Sequence, residues 1–252
     1  MTSIKSQSEH VDAPGMGNHL DYVERASKAL RAGQVVVIPT DTVYGLAAAL
    51  NRPEAISHLY AIKNRPLEKA IPVLLSDASE VHQVAADLPA SAAFLASCFW
   101  PGALTLVLPA LLHLPPLVTS TCENGRRTVA VRVPDDPLAR AIIAASGGAL
   151  AVTSANHSGQ RPALDAAEAA ALAMSPPLLV VDGGRAPGGI PSTVVLATGD
   201  ELEILRKGAI SPTAIMEALR NHDVVAGAGA SKRYDQPMTE HDPHRPRVKT
   251  ST

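Results

Sequence analysis

The sequence predicts a layered α/β fold in a single domain, and three observations carry that prediction. Short β-branched runs alternate with helix-like stretches between residues 19 and 222. Apolar residues make up 46% of the 252, enough to bury one sizeable core. No internal repeat or linker divides the alternating region.

The elements follow in order. A helix is expected over 19–32, stopped by Gly33, and the run Val35-Val36-Val37-Ile38 makes a strand over 34–39. Pro53 suits a first helical turn, opening a helix through Lys63, and "AIPVLL" (70–75) reads as a buried strand. A helix near 89–98, strands at 104–108 and 128–133, a helix at 137–146 and a strand at 149–154 come next. "ALDAAEAAALA" (163–173) is helical by composition, and 178–182 is a strand. "STVVLATGDELEILR" reads as two strands turned at Thr198-Gly199-Asp200. Ser211 is a good cap for a last helix ending near Arg220. Residues 1–18 and 223–252 mix small, charged and proline residues without periodicity and are read as disordered tails.

Composition excludes several classes. The apolar stretches are broken well before the roughly 18 residues a bilayer span needs, and "MTSIKSQSEH" lacks a signal-peptide layout, so a cytoplasmic location is expected. Cys98 and Cys122 alone make no disulfide framework and no zinc spacing. A net charge of −2 argues against a uniformly basic nucleic-acid surface, so any basic site is local. There is no GxxxxGK[ST] loop, no GxGxxG after the first strand and no GxSxG.

What recurs is a polar cluster at strand ends: "PTDT" with Thr40, Asp41 and Thr42; "TVAVRV" with Thr128 and Arg132; "AVTSAN" with Thr153, Ser154 and Asn156; "PSTVV" with Ser192 and Thr193. Each alone suits a turn or cap, because short polar side chains bond their own backbone. Jointly they suggest one pocket, since ligands in layered α/β folds sit in crevices at strand ends. "YAIKNRPLEKAIP" gathers Lys63, Arg65 and Lys69 at a helix end. The helix dipole accounts for such a run, and so does an anion site in which Arg offers a rigid fork and Lys a point charge. Arg132 and Arg206 face either solvent or an anionic cavity. The loop "VVDGGRAPGGIPSTVV" lets backbone approach a ligand closely, and serves tight turns equally. Trp100 reads as a packing residue.

With these residues assembled, the chain resembles the threonylcarbamoyl-AMP synthase family, the YrdC-type proteins also called TsaC. The matching stretches are "PTDTVYGL", "IKNRP" with Lys69, "WPGALTLVL", "TVAVRVP", "TSANHSG", "GGIPSTVV" and "ILRKGAIS", in the family's order. The resemblance implies a twisted, mixed sheet flanked by helices around a large basic cavity. It implies formation of L-threonylcarbamoyladenylate and pyrophosphate from L-threonine, bicarbonate or CO2, and ATP, for t6A modification of tRNA at position 37. By the same resemblance Thr42, Arg132, Ser154 and Ser192 hold threonine, with Arg132 on its carboxylate. Lys63, Arg65, Lys69, Thr128, Asn156 and Arg206 serve ATP, Lys63 and Arg65 being the catalytic pair. Many relatives carry Pro at Ala103, His at Asp136, Ser-Pro-Thr at Ala163-Leu164-Asp165 and Asp at Leu196.

The implied chemistry needs no enzyme nucleophile. Threonine's amine attacks CO2 or bicarbonate, and the resulting carboxylate attacks the α-phosphorus of ATP; positioning and charge neutralisation are what the protein must supply. No carboxylate cluster reads as a metal cage, so Mg2+ is expected to arrive with ATP, and no protein-held metal is expected. The expected partners are ATP, L-threonine, bicarbonate and a downstream tRNA threonylcarbamoyl-transferase machinery, with weak RNA binding as an addition. Three rivals stand beside this reading: a double-stranded RNA-binding module of the same fold, a paralogue acting on another small molecule, and a carbamoyl-transfer enzyme of hydrogenase maturation. The last carries zinc-finger cysteines that this chain lacks.

Overall fold

The computed structural model of the protein describes residues 19–122, 125–172, 178–199 and 202–226. The expected N-terminal tail and residues 227–252 lie outside these. Among the described residues six α-helices and ten strands follow the expected α/β alternation: α1 (His19–Arg31), β1 (Val36–Ile38), β2 (Gly45–Ala49), α2 (Pro53–Lys63), β3 (Val73–Leu75), α3 (Ala90–Phe99), β4 (Leu104–Pro109), β5 (Thr119–Thr121), β6 (Arg127–Arg132), α4 (Pro137–Ala145), β7 (Ala149–Ser154), α5 (Ala166–Ala170), β8 (Leu179–Val180), β9 (Thr193–Leu196), β10 (Glu203–Arg206) and α6 (Pro212–Ala226). None of the helices is long and apolar enough to cross a membrane.

Local sequence sets the helix boundaries. Pro137 fits the first turn of α4 because its missing N–H would be an orphan there, and the Asp136 side chain accepts from the Ala139 N–H at 2.7 Å. Ser211 caps α6 through the Ala214 N–H at 3.1 Å, as expected, and that helix continues past Arg220 to Ala226. α5 is shorter than its composition suggests. Ala163 is held out of it by backbone pairing with Ala155 and Tyr44, so the helix opens only after Asp165, whose side chain accepts from the Glu168 N–H. β2 was not expected at all: "GLAAA" has little intrinsic strand preference, and pairing with β1 on one side and β7 on the other overrides that.

The strands form one mixed sheet in the order β10-β9-β4-β6-β3-β7-β2-β1-β8, with β5 beside β6. β3 pairs β6 in parallel, as β4 does β9 and β1 does β8, while the remaining ladders are antiparallel. Alternation along the strands divides the side chains between two apolar clusters. Val37, Leu46, Ala48, Val73, Leu75 and Ala151 join the larger one, while Val36, Ile38, Ala47, Ala49, Leu74, Leu150 and Val152 join a smaller one roofed by Tyr22, Ala26 and Leu30 of α1 and Leu138, Ala139, Ile142 and Ile143 of α4. β4, β6, β9 and β10 contribute side chains only to the larger cluster. Their other face lacks an apolar helical roof, and it carries Thr105, Thr128 and Arg132, all buried.

Leu106 sits at the middle of the larger core, fully buried between Val131 of β6 and Val195 of β9 in register. Leu106→Ala leaves a cavity between three paired strands, so urea unfolding is expected to show a loss of about 2–5 kcal/mol.

Candidate functional site

Arg132 ends β6 on the unroofed face, because Val129 and Val131 on either side of Ala130 point into the larger core. A buried guanidinium must have its donors satisfied. Its Nε donates to the Gly102 carbonyl at 2.9 Å, Nη1 to Thr42 Oγ1 at 3.1 Å, and Nη2 forms an ion pair with Asp41. The turn that delivers Asp41 and Thr42 is organised by Thr40, whose Oγ1 donates to the Val43 carbonyl at 2.7 Å and accepts from the Thr42 N–H at 3.2 Å. The polar side chains behind β1 therefore split their roles, Thr40 building the loop and Asp41 and Thr42 engaging Arg132.

Ser192 reaches the same face just before β9. Its hydroxyl lies 2.8 Å from Thr105 Oγ1, and Arg206 of β10 donates to its carbonyl at 2.8 Å and its hydroxyl at 3.1 Å. Burial first, and the positive charge of Arg132 besides, lower the Arg206 pKa from the usual value, while the residue as a whole keeps an exposed surface. Thr42, Arg132, Thr105, Ser192 and Arg206 thus form one polar cluster. Asp136 stands close enough to Asp41 for their charges to interact; burial first, and that repulsion besides, raise its pKa.

A second group forms where α2 ends. Asn64 takes a left-handed conformation (φ 49°) and closes the helix, leaving Lys63 as its last residue, only 2% exposed. The Lys63 ammonium donates to the Ser154 carbonyl, to Ser154 Oγ at 3.3 Å, to the Asn156 carbonyl at 3.0 Å and to Asn156 Oδ1 at 2.6 Å. Ser154 Oγ in turn donates to Asn156 Oδ1 at 2.6 Å. Burial and then the charge of Arg65 push the Lys63 pKa down to about 8. The four oxygens work in the opposite direction and keep it an ammonium at neutral pH. Arg65 folds back on its own loop, Nε donating to the Lys69 carbonyl at 2.8 Å and Nη2 to the Ala70 carbonyl at 2.9 Å. The Tyr60 hydroxyl bonds the Lys69 carbonyl too, at 2.9 Å, so two side chains fix the turn from which exposed Lys69 projects.

Of the residues singled out in the sequence, Thr42 bonds Arg132 and Ser192 bonds Arg206, the two pairs lying near enough for Arg132 to act electrostatically on Arg206, and Lys63, Ser154, Asn156 and Arg65 form the neighbouring group. The two groups are joined through β2, since Gly45, three residues after Thr42, pairs with Ser154 in register. Thr128 is set apart: it lies on the unroofed face with Arg132, but two alternations away, roughly 13 Å along the strand, and its hydroxyl bonds the Ser120 carbonyl at 3.3 Å. Sequence reading missed Thr105, although a lone hydroxyl in "GALTLVL" carries the same signal as Arg132 in "TVAVRV". It also missed the task of Tyr44. That hydroxyl donates to the Gly184 carbonyl at 2.6 Å and accepts from the Gly183 N–H at 3.1 Å, binding the glycine-rich loop to the loop behind β1, and burial pushes its pKa up to about 12. Gly188 completes the junction, since a Cβ there would come 2.0 Å from the Thr42 carbonyl.

The Sua5_yciO_yrdC family profile, described as "Telomere recombination", matches residues 28–208, which include every site residue named above. The chain belongs to this family. Among its curated relatives, the threonylcarbamoyl-AMP synthase of Bacillus subtilis is 39% identical over 218 residues, covering 86% of this chain and 61% of the relative. That of Halorhodospira halophila is 40% identical over 146 residues, 58% of this chain and 74% of the relative. A crystal structure of Pyrococcus abyssi Sua5 complexed with L-threonine superposes with a TM-score of 0.74 at 29% identity, covering 89% of this chain and 65% of that one. Escherichia coli YciO, at 23% identity and a TM-score of 0.68, shares the fold. The chain therefore spans about three fifths of the length of the Bacillus relative.

For this member of the Sua5/YciO/YrdC family the buried lysine makes a testable mark on stability. The unfolded chain holds the Lys63 proton up to about 10.5 and the native state only to about 8, so between those values the unfolded state binds more protons and native stability rises with pH. Between pH 7.5 and 10 the native protein is expected to gain about 2 kcal/mol in urea unfolding relative to Lys63→Met, in which that contribution is absent.

Proposed function

We propose that the chain is a threonylcarbamoyl-AMP synthase, joining L-threonine, bicarbonate or CO2, and ATP into L-threonylcarbamoyladenylate with release of pyrophosphate. The observation that carries this reading is the pairing of two differently charged subsites across β2. One, built on Arg132, mixes cations with carboxylates and hydroxyls. The other, built on Lys63 and Arg65, presents an ammonium and a guanidinium against carbonyl and amide oxygens. The names of the relatives and the threonine bound to the Pyrococcus protein support the substrate class.

In this reading Arg132 takes the threonine carboxylate, with Thr42, Ser154 and Ser192 lining the amino-acid side. Lys63, Arg65 and Lys69 face the triphosphate, and Asn156, Thr128 and Arg206 complete the nucleotide side. The amine's lone pair forms the new C–N bond to CO2, one C–O π bond opens to give the carbamate oxygen anion, and the amine proton passes to solvent. A carbamate oxygen then attacks the α-phosphorus while the bond to the β-phosphate oxygen breaks and pyrophosphate carries off that electron pair. Ser154 and Asn156 hold Lys63 rigidly where negative charge gathers, so its ammonium need not reorganise during the step. Arg65 anchors the turn of Lys69 through backbone carbonyls and keeps its outer N–H groups for phosphate oxygens. Among the described residues no group of three or more His, Cys, Asp or Glu gathers as a metal cage, so magnesium is placed on the ATP and no step is assigned to it. A basic cavity enclosing both subsites, delivery to a tRNA threonylcarbamoyl transferase and weak RNA contact belong to the same proposal.

Purified protein given ATP, Mg2+ and bicarbonate is expected to release pyrophosphate only when L-threonine is added; release that ignores threonine overturns the reading. Arg65→Ala is expected to abolish most of that release while lowering unfolding free energy by only about 1–2 kcal/mol, the worth of two partly exposed hydrogen bonds. Unchanged turnover in Arg65→Ala would make the residue a loop anchor alone.

A further inference from the structure

We infer that Asp41 is the group that recognises the α-ammonium of the amino-acid substrate, so that Asp41 and Arg132 together read a free zwitterionic α-amino acid; the inference rests on the proposed reaction. Asp41 lies in the loop behind β1 with its side chain 12% exposed, paired with Arg132, which is 8% exposed. Such a pair requires a reason. Desolvating two charges is repaid only with good geometry and further hydrogen bonds, and a hydrophobic pair would pack as well.

The surroundings supply the reason. Three of the five guanidinium donors of Arg132 are used, by Gly102, Thr42 and Asp41, which leaves two for a ligand. A carboxylate has about four acceptor positions, and Arg132 takes one of those on Asp41. Arg206 and Asp136 lie near enough to interact electrostatically with Arg132 and Asp41 respectively. Within hydrogen-bonding contact the subsite therefore joins one cation and one carboxylate, Arg132 and Asp41, beside the Thr42 hydroxyl. A phosphate site gains nothing from carboxylates, which repel the ligand. The Lys63 and Arg65 group accordingly shows oxygen partners only from carbonyls, a hydroxyl and an amide. A zwitterion needs both signs side by side, and the carboxylate that steadies Arg132 is the one acid in direct contact with the cation assigned to the substrate carboxylate.

This distribution also separates recognition from reaction. Asp41 holds the amino acid as the ammonium in which it exists in solution, and one ammonium proton passes to solvent water before the amine attacks CO2. Loss of Asp41 thus weakens capture of the amino acid and leaves the nucleotide subsite as it was.

The test compares L-threonine with 3-hydroxybutanoate, the same molecule without its amino group, by calorimetric titration of the full chain. The native protein is expected to bind threonine and to bind 3-hydroxybutanoate about 10-fold to 100-fold more weakly, the worth of one charge-assisted contact. In Asp41→Asn, threonine affinity is expected to fall by a similar factor while 3-hydroxybutanoate affinity stays within about twofold, so the preference collapses; Asp41→Glu is expected to recover part of it. In turnover, KM for threonine rises in Asp41→Asn and KM for ATP is unchanged. Equal losses for both ligands would mean that Asp41 acts only by orienting Arg132, and overturn the inference. So would retained threonine affinity and preference in Asp41→Asn. Absence of threonine binding by the native protein would remove the proposed reaction and this inference together, whereas native binding that ignores Asp41 removes the inference alone.

Discussion

The arrangement depends on an unequal covering of one sheet. Helices α1 and α4 seal one face over β1, β2, β3 and β7, while β4, β6, β9 and β10 send their fully buried apolar side chains to the opposite core and leave Val107, Ala130, Val194 and Leu196 only half-buried on the unroofed side. Where no apolar roof exists, the alternating positions of those strands must be polar or be covered by loops. Thr105, Thr128 and Arg132 occupy such positions; the loop behind β1 partners Arg132, Ser192 ahead of β9 partners Thr105, and β5 partners Thr128. The site is therefore a place where the sheet's second apolar layer stops. Its charged groups can be buried because each finds partners from the loops that replace the missing helix, and no buried polar side-chain atom among the described residues lacks one.

The same constraint explains why two arginines of similar chemistry have different surroundings. Arg132 lies inside the sheet between β3 and β4 and must be neutralised, which Asp41 does. Arg206 belongs to the edge strand β10, keeps contact with solvent, and is satisfied by the Ser192 carbonyl and hydroxyl without a carboxylate. Lys63 is a third solution: a buried ammonium at a helix end, where the dipole favours positive charge, surrounded by neutral oxygens. Arg132 has a carboxylate partner, and Lys63 has only neutral oxygens. That difference supports the assignment of an amino acid to the first and phosphates to the second.

Much of this was legible in the sequence. The alternation "TVAVRV" announces a charge on the opposite face from three valines, and burial of Arg132 resolves its two open readings in favour of the interior. The run Lys63 to Lys69 opens at a helix terminus, as its dipole reading expects, and its reading as an anion site belongs to the proposed function. The ends of β7 and the cap at Ser211 followed the local signals closely. What was hidden depended on distant pairing. "GLAAA" becomes a strand because β1 and β7 flank it, and Ala163 is taken from a helix by hydrogen bonds to Ala155, just after β7, and Tyr44, just before β2. The Tyr44 hydroxyl could not be placed either, since its partners lie in a loop whose glycines fix no register by themselves.

That tyrosine has one more consequence. Its partner Gly184 is 140 residues away along the chain, Asp41 meets Arg132 across 91, and Lys63 meets Asn156 across 93. Closing such long loops costs entropy before any contact repays it, and a topology dominated by them folds late and as a whole. A partly synthesised or partly folded chain would hold the individual motifs yet own no binding site. The polar cluster is then assembled only after the last strands have docked, which ties its appearance to completion of the polypeptide's architecture.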